Sequence, residues 1–316
     1  MLTESPGRQP ERRIPLERRP GLQCSAPMPI ERVAGAGDPR IALYRGLSDR
    51  ELLAAHGLFI AEGRLVVQRA IEHCRPRVRS VLLNDAAYRQ LEGVLRSLDP
   101  QIPIYIASTR EFASLTGFNI HRGCLALVER PPAIAAGDLL RSLPRAETGR
   151  AAAVWFPRAV VVLERVANPD NVGGIFRNAA AFGAAAVLLD PGSCDPLYRK
   201  AVRTSMGAVL RVPFARVGDW PAGLEELRRA GFRIAALSPR RPALTIDELA
   251  AARPSAIALL AGAEGEGLSP AAAEMADWRV RIPIDPGVDS LNVAVAVGIA
   301  LHRIMRAPVD PAAGRE

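Results

Sequence analysis

The stretch IPIDPGVDSLNVAVAVGIALHRI, residues 282–304, restricts what this 316-residue chain can fold into more than any other. It predicts a buried strand, a Pro/Gly turn and a helix that starts with Ser290 as its N-cap. Leu291, Val293, Val295, Val297, Ile299 and Leu301, with the alanines between them, leave that helix almost no polar face, so burial on every side is expected. A plain core helix explains the apolar residues. Ser290 and Asn292 are different: polar groups flanking Leu291 at a buried helix start need partners, and a ligand would supply them.

Residues 156–308 provide the body against which such a helix packs. AVVVLE (159–164) is a β-branched run of the kind found inside parallel sheets, and it leads into a helix over 172–183. Strands are then expected at 184–190, 212–217, 232–238, 255–262 and 280–284. Between them lie a helix over 198–210, one near 221–230, a capped turn from Thr245 to Glu248 and a helix from Ser269. This βαβ alternation predicts an α/β fold, a parallel sheet with helices on both faces.

Residues 31–131 read as a separate small α/β domain, with strands at 57–63, 78–84, 102–107 and 124–130, a helix over 63–74 and capping-box spacings at Ser48/Glu51 and Ser108/Glu111. Its loop FNIHRG (118–123) places Asn119, His121 and Arg122 together, a set that suits phosphate or an exposed base. Residues 1–30, rich in proline and charge, read as a disordered arm; 132–155, rich in Ala, Pro, Gly and Arg, as a linker in which part of DLLRSL forms a helical turn; and 309–316 as a tail. The net charge of +8 suits a polyanionic partner. It is a weak signal, because Lys200 is the sole lysine among 41 basic residues and the excess is spread along the chain. Cys24, Cys74, Cys124 and Cys194 form no C-x-x-C pair and have no histidine at metal-ligand spacing, so free thiols and no metal are expected. No apolar run reaches membrane-spanning length, and the expectation is a soluble cytoplasmic protein.

Ligands of open parallel sheets bind at the carboxyl ends of strands. Three such ends carry unusual chemistry here. NPDNVGGIFRN (168–178) crowds Asn168, Asp170 and Asn171 before Arg177; AGAEGEGLSP (261–270) brackets Glu264 and Glu266 with glycines; the third is the opening stretch. Neither G-x-G-x-x-G after the first strand nor G-x-x-x-x-G-K-[ST] is present, which removes the usual dinucleotide and P-loop readings.

In this order the three stretches resemble the SpoU (TrmH-like) family of RNA 2′-O-ribose methyltransferases, of the SPOUT class. The resemblance is carried by N-x-x-N-x-x-x-x-x-R (Asn168 to Arg177), G-x-E-x-x-G (Gly262 to Gly267) and IPI…SLNVAVA (282–296). DPLYRKAVRTSMGAV (195–209), with Arg203, Ser205 and Gly207, is similar to the family's segment after its second strand, and FIAEG (59–63) with the HRG loop looks like its small L30e-like domain. HRG where HQG is frequent, and His302-Arg303 where an acidic residue is common, depart from the pattern and bear on the substrate subfamily.

The resemblance implies a SPOUT domain with a C-terminal deep trefoil knot, S-adenosylmethionine held by Gly262, Glu264, Gly267, Ile282, Ser290 and Leu291, and an active site completed across a homodimer. It makes Arg177 the central catalytic residue, with Asn171, Ser290 and Asn292 orienting it and the ribose, and Glu264 fixing it or accepting the proton. A guanidinium holds its proton too tightly to serve as base, so phosphate binding and stabilisation of the developing alkoxide is the better role. Asn119, His121, Arg122, Arg177 and Arg203 are the implied RNA contacts, on ribosomal or transfer RNA. A catalytically silent RNA-binding assembly factor and a base-methylating SPOUT enzyme are the alternatives; the motif arginine and S-x-N pair, both present, count against the first and the SLN signature against the second.

Overall fold

The computed structural model describes residues 30–35, 37–74, 77–109, 112, 123–144 and 158–305. Two sheets organise them. The first holds β1 (Ile30–Arg32), β2 (Leu58–Glu62), β3 (Val78–Leu83), β4 (Ile104–Ile106) and β5 (Cys124–Glu129) in the order β1-β4-β3-β5-β2. β5 runs antiparallel to both neighbours while the other pairings are parallel, so the sheet is mixed. Ser48 and Glu51 close the expected capping box on α1 (Asp49–His56), and α2 (Arg64–Cys74) buries Val67, Ala70 and Ile71. Two features depart from expectation. Ile30, assigned to the arm, pairs with Ile104 as the first residue of β1. An unforeseen α3 (Asp85–Leu95) starts at Asn84, whose side chain accepts from Ala87 N at 2.8 Å, and buries Ala87, Leu91 and Leu95 at helical spacing. The rest of the arm, Glu111, the tail 309–316 and the Asn119, His121 and Arg122 loop lie outside the described residues.

The second sheet holds β6 (Arg158–Glu164), β7 (Ala186–Leu189), β8 (Phe214–Arg216), β9 (Arg233–Leu237), β10 (Leu244–Thr245), β11 (Ala256–Gly262) and β12 (Trp278–Arg281). All its pairings are parallel, in the order β10-β12-β9-β11-β6-β7-β8. Side chains alternate across it. Val161 and Leu163 join the apolar cluster of α5 (Pro169–Phe182), α6 (Arg199–Thr204), α8 (Ile246–Ala251) and α10 (Val293–Met305). Val160 and Val162 join that of α4 (Ala136–Ser142), α7 (Glu225–Arg229) and α9 (Pro270–Glu274). Both faces are therefore covered by helices, as the continuous apolar run of β6 requires. The helical turn expected in DLLRSL is α4, whose Leu139 and Leu140, with Leu143 after it, are buried against the sheet; 145–157 lie outside the described residues.

Four expectations for this part of the chain fail locally. The strand ends at Arg281, before Ile282, and Pro283 is exposed, so IPI is loop rather than buried strand. The last helix begins at Val293, and Asn292 caps it instead of Ser290: its Oδ1 accepts from Ala294 N (3.0 Å) and Val295 N (3.2 Å). Nor is that helix buried all round, since Val295 is 49% exposed. The helix expected over 198–210 stops at Thr204, where Met206 (φ 54°) and Gly207 (φ 79°) turn left-handed before a short 3-10 turn at Ala208–Leu210.

The two sheets share one apolar cluster and are tied by charge. Arg203 donates to Glu62 at 3.0 Å, Arg199 N to Asp49 at 2.8 Å, Arg130 to Asp195 at 2.9 Å, and Arg69 to the carbonyl of Met206.

Candidate active site

The loops after β9, β11 and β12 build a cleft, and the loop after β6 is bonded to its edge through Asn171 and Asn292. After β6, Asn168 caps α5 by accepting from Asp170 N at 2.9 Å, and Pro169 fits the first helical position, where no N–H is needed. This places Asn171 in the first turn, 6% exposed. After β11 the chain reverses tightly: Gly267 N donates to Ala263 O at 3.0 Å, with Gly265 (φ 83°) and Gly267 (φ 73°) in left-handed conformation. Gly262 packs on this reversal so closely that a Cβ there would stand 2.4 Å from Gly267 C.

The third loop supplies the joint. Asn292 Nδ2 donates to Asn171 Oδ1 at 2.9 Å and to Glu264 Oε1 at 2.6 Å, while its Oδ1 caps the last helix. Both amide hydrogens and the carbonyl are thereby engaged. One residue of the opening stretch thus links all three motifs, with Glu264 held at the exposed rim. Gly262, Glu264, Gly267, Ile282, Ser290 and Leu291, the six residues implied for the cofactor, all line this cleft. Leu237, Ser238 and Pro239 line it as well; Leu237 ends β9 and the other two follow it, and the strand-end rule applied to FRIAALS was the available signal.

Arg177 stands elsewhere. It is exposed on α5 and lines a groove between α5 and α10 with Asn178, Val295, Gly298 and His302. Gly298 lets the helices close up: a Cβ there would meet the Asn178 amide at 2.7 Å, and that amide donates to Ala294 O at 2.7 Å. Glu264 is therefore engaged by Asn292 and not by Arg177. Arg203, implied as an RNA contact, pairs with the buried carboxylate of Glu62 and keeps about half of its side chain (53%) exposed.

Sequence reasoning passed over Glu164 and Arg165. Glu164, 2% exposed, accepts from Trp220 Nε1 (2.8 Å), Ser269 N (2.8 Å) and Ser269 Oγ (2.6 Å), pinning the ends of β6 and the start of α9 together. A carboxylate ending a buried β-branched strand demands such partners, which was the signal in AVVVLE. The described residues contain no cluster suited to a metal ion and no helix long and apolar enough to cross a membrane.

Asp170 anchors the first loop to α6. Lys200 Nζ lies 2.6 Å away and Thr204 donates at 3.0 Å, and the lysine contact first, then the threonine bond, hold the Asp170 carboxyl below the ordinary carboxylate range. A depressed folded-state value stabilises the fold above the unfolded-state value and loses that contribution as pH falls through the folded one. Asp170→Asn is expected to lower the melting temperature at neutral pH and to lower it progressively less as the pH falls below the ordinary carboxylate range. Equal losses at both would show that the charge is not the cause.

Comparison with known proteins identifies the group. Residues 158–302 match the model of the SpoU rRNA Methylase family. An uncharacterized tRNA/rRNA methyltransferase of Mycobacterium tuberculosis is 40% identical over 282 residues, 88% of this chain and 92% of that protein. The AdoMet-bound rRNA methyltransferase from Sinorhizobium meliloti superposes with a TM-score of 0.71 at 23% identity, over 87% of this chain and 97% of its own. An RNA 2′-O ribose methyltransferase superposes at 0.66 with 25% identity, over 87% and 98%. With its three motifs assembled around one cleft, the chain belongs to the SpoU rRNA methylase family.

Proposed function

We propose that the chain is an S-adenosylmethionine-dependent 2′-O-ribose methyltransferase of structured RNA, ribosomal before transfer RNA, acting in the cytoplasm as a homodimer. The observation that carries this is the hydrogen-bonded meeting of Asn171, Glu264 and Asn292 beside a cleft lined by all six expected cofactor residues. The cleft fits the cofactor: Leu237, Val280, Ile282 and Leu291 offer apolar contact to a nucleoside, and Gly265 and Gly267 leave space beside them.

When bound, S-adenosylmethionine supplies an electrophilic sulfonium methyl group with a good leaving group already attached. The chain has to position the ribose 2′-hydroxyl and dispose of its proton. Asn292 fixes the Glu264 carboxylate at the cleft rim, where it serves as proton acceptor, and holds Asn171 beside it. Ser290 lines the same wall, and Arg177 binds the target phosphate and stabilises the developing alkoxide.

Arg177 lines the α5/α10 groove and not the cleft, beside the exposed Val295, which supports a second copy covering that face and receiving the arginine in its own cleft. The entry of β12 between β9 and β10, after β11 has formed on the other side of β9, supports a trefoil-knotted C-terminal segment. Residues 31–131 act as the small L30e-like domain that carries Asn119, His121 and Arg122 to RNA, ahead of the SPOUT domain at 156–308. Purified protein is expected to transfer labelled methyl groups to total RNA from a strain lacking the gene, with RNA affinity falling steeply as salt rises. No transfer to that RNA would sink the proposal.

A further inference from the structure

Arg165 follows β6 in a left-handed conformation (φ 54°), which a residue with a side chain adopts only where its surroundings enforce it. The enforcing contacts are visible. Its backbone N–H donates to Asp190 Oδ1 at 2.9 Å, and Asp190 is a 3% exposed carboxylate that also accepts from Ser193 Oγ at 2.6 Å. Ser193 Oγ in turn accepts from Val166 N at 3.1 Å, and Cys194 N donates to Val166 O at 3.0 Å. The side chain then runs over Gly192, where an added Cβ would come within 3.2 Å of Arg165 Cγ. Its guanidinium ends on the loop after β11, with Nη1 2.6 Å from Glu266 Oε2 and Nη2 donating to Gly267 O at 3.4 Å. That loop carries Glu264 and the Gly262–Gly267 wall of the cleft.

Resting on the cofactor reading above, we infer that Arg165 is a positioning residue: it latches the 263–267 loop to the loops after β6 and β7 and so holds the cofactor wall in its binding shape. A glycine at this position would adopt the same conformation without steric strain. What glycine lacks is the guanidinium that reaches Glu266 and Gly267.

The test uses the full-length protein. Hydrogen exchange of the amides of 263–268 is measured without cofactor, alongside the melting temperature, for wild type, Arg165→Met, Arg165→Lys, Arg165→Gly and Glu266→Gln. Because the ion pair is exposed, loop exchange is expected to quicken by roughly three- to fivefold in Arg165→Met and Glu266→Gln, with Arg165→Lys in between. Arg165→Gly is expected to show the same quickening with an unchanged or higher melting temperature. Dissociation constants for S-adenosylmethionine should rise by a similar factor, and the Arg165→Met/Glu266→Gln double variant should match the singles. Loop exchange at the wild-type rate in both Arg165→Met and Arg165→Gly would overturn the latch, as would a quickening spread evenly over the whole sheet. A wild-type protein that binds no S-adenosylmethionine would remove the cofactor reading, and loop exchange would still decide the latch.

Discussion

Arg177→Ala is expected to slow methyl transfer by about 100- to 1,000-fold, the loss typical of removing one preorganised group that stabilises transition-state charge. Affinity for S-adenosylmethionine should stay nearly intact, because the residues lining the cleft hold it without Arg177, whose assigned partners are the target phosphate and the developing alkoxide. Single-turnover transfer and calorimetric binding separate the two effects. Arg177→Lys should recover little, since an ammonium keeps the charge and loses the planar fork that grips a phosphate. Exposure adds a further reason for a clean result: the side chain supports no core packing, so stability should not change. Unchanged turnover in Arg177→Ala would refute the role given to it.

Gly262→Ala is the second large effect and acts on the opposite step. A Cβ at this position would lie 2.4 Å from Gly267 C, 2.5 Å from its carbonyl oxygen and 2.5 Å from Leu268 N. All three contacts are backbone, so no side chain can swing aside to make room. The reversal held by Gly267 N and Ala263 O would have to open, and it carries Glu264 to Asn292. The expected cost is about 1–3 kcal/mol of stability, as for other forced overpacking. Cofactor affinity should fall by at least about tenfold, equivalent to some 1.4 kcal/mol of lost loop preorganisation. Thermal melts and calorimetry on the same samples check both. A variant that binds S-adenosylmethionine like wild type would show that the Gly262–Gly267 contact is not what shapes the cleft.

Much of the second sheet could be read from the chain because its physics is local. AVVVLE is too continuously apolar for a half-exposed strand, and the recurring capped helices between such runs leave a parallel sheet covered on both faces. The capping boxes at Ser48/Glu51 and Thr245/Glu248 were equally legible, being contacts three residues apart. Failures cluster where partners are distant in sequence. Ser290 and Asn292 both suit an N-cap, and the choice fell to Asn292 because its remaining amide hydrogens meet Asn171 and Glu264. The full burial expected of the last helix assumed that every apolar face finds a partner within one chain, whereas Val295 is left open. The partner of Arg203, Glu62, was not legible because it lies 141 residues away. The sequence signalled that Glu164 needs partners but could not name them, and only the fold brings Ser269 and Trp220 to Glu164 and Glu266 to Arg165.

The motif residues separate into those one chain unites and those it does not. Asn171, Glu264 and Asn292 form a bonded cluster, and Ser290 and Leu291 line the cleft. Arg177 remains apart, which no spacing argument foretold, and its position is the reason for proposing that a second copy completes the site.

The chemistry of the product tests the central claim most directly. RNA from a strain lacking the gene, methylated by the purified protein with S-adenosylmethionine labelled in the methyl group, is split into two portions. One is hydrolysed with alkali and the other digested to nucleosides for mass spectrometry. Transfer to a ribose 2′-oxygen predicts label in an alkali-resistant dinucleotide and in a 2′-O-methylnucleoside. Label recovered on a base within ordinary mononucleotides would contradict it.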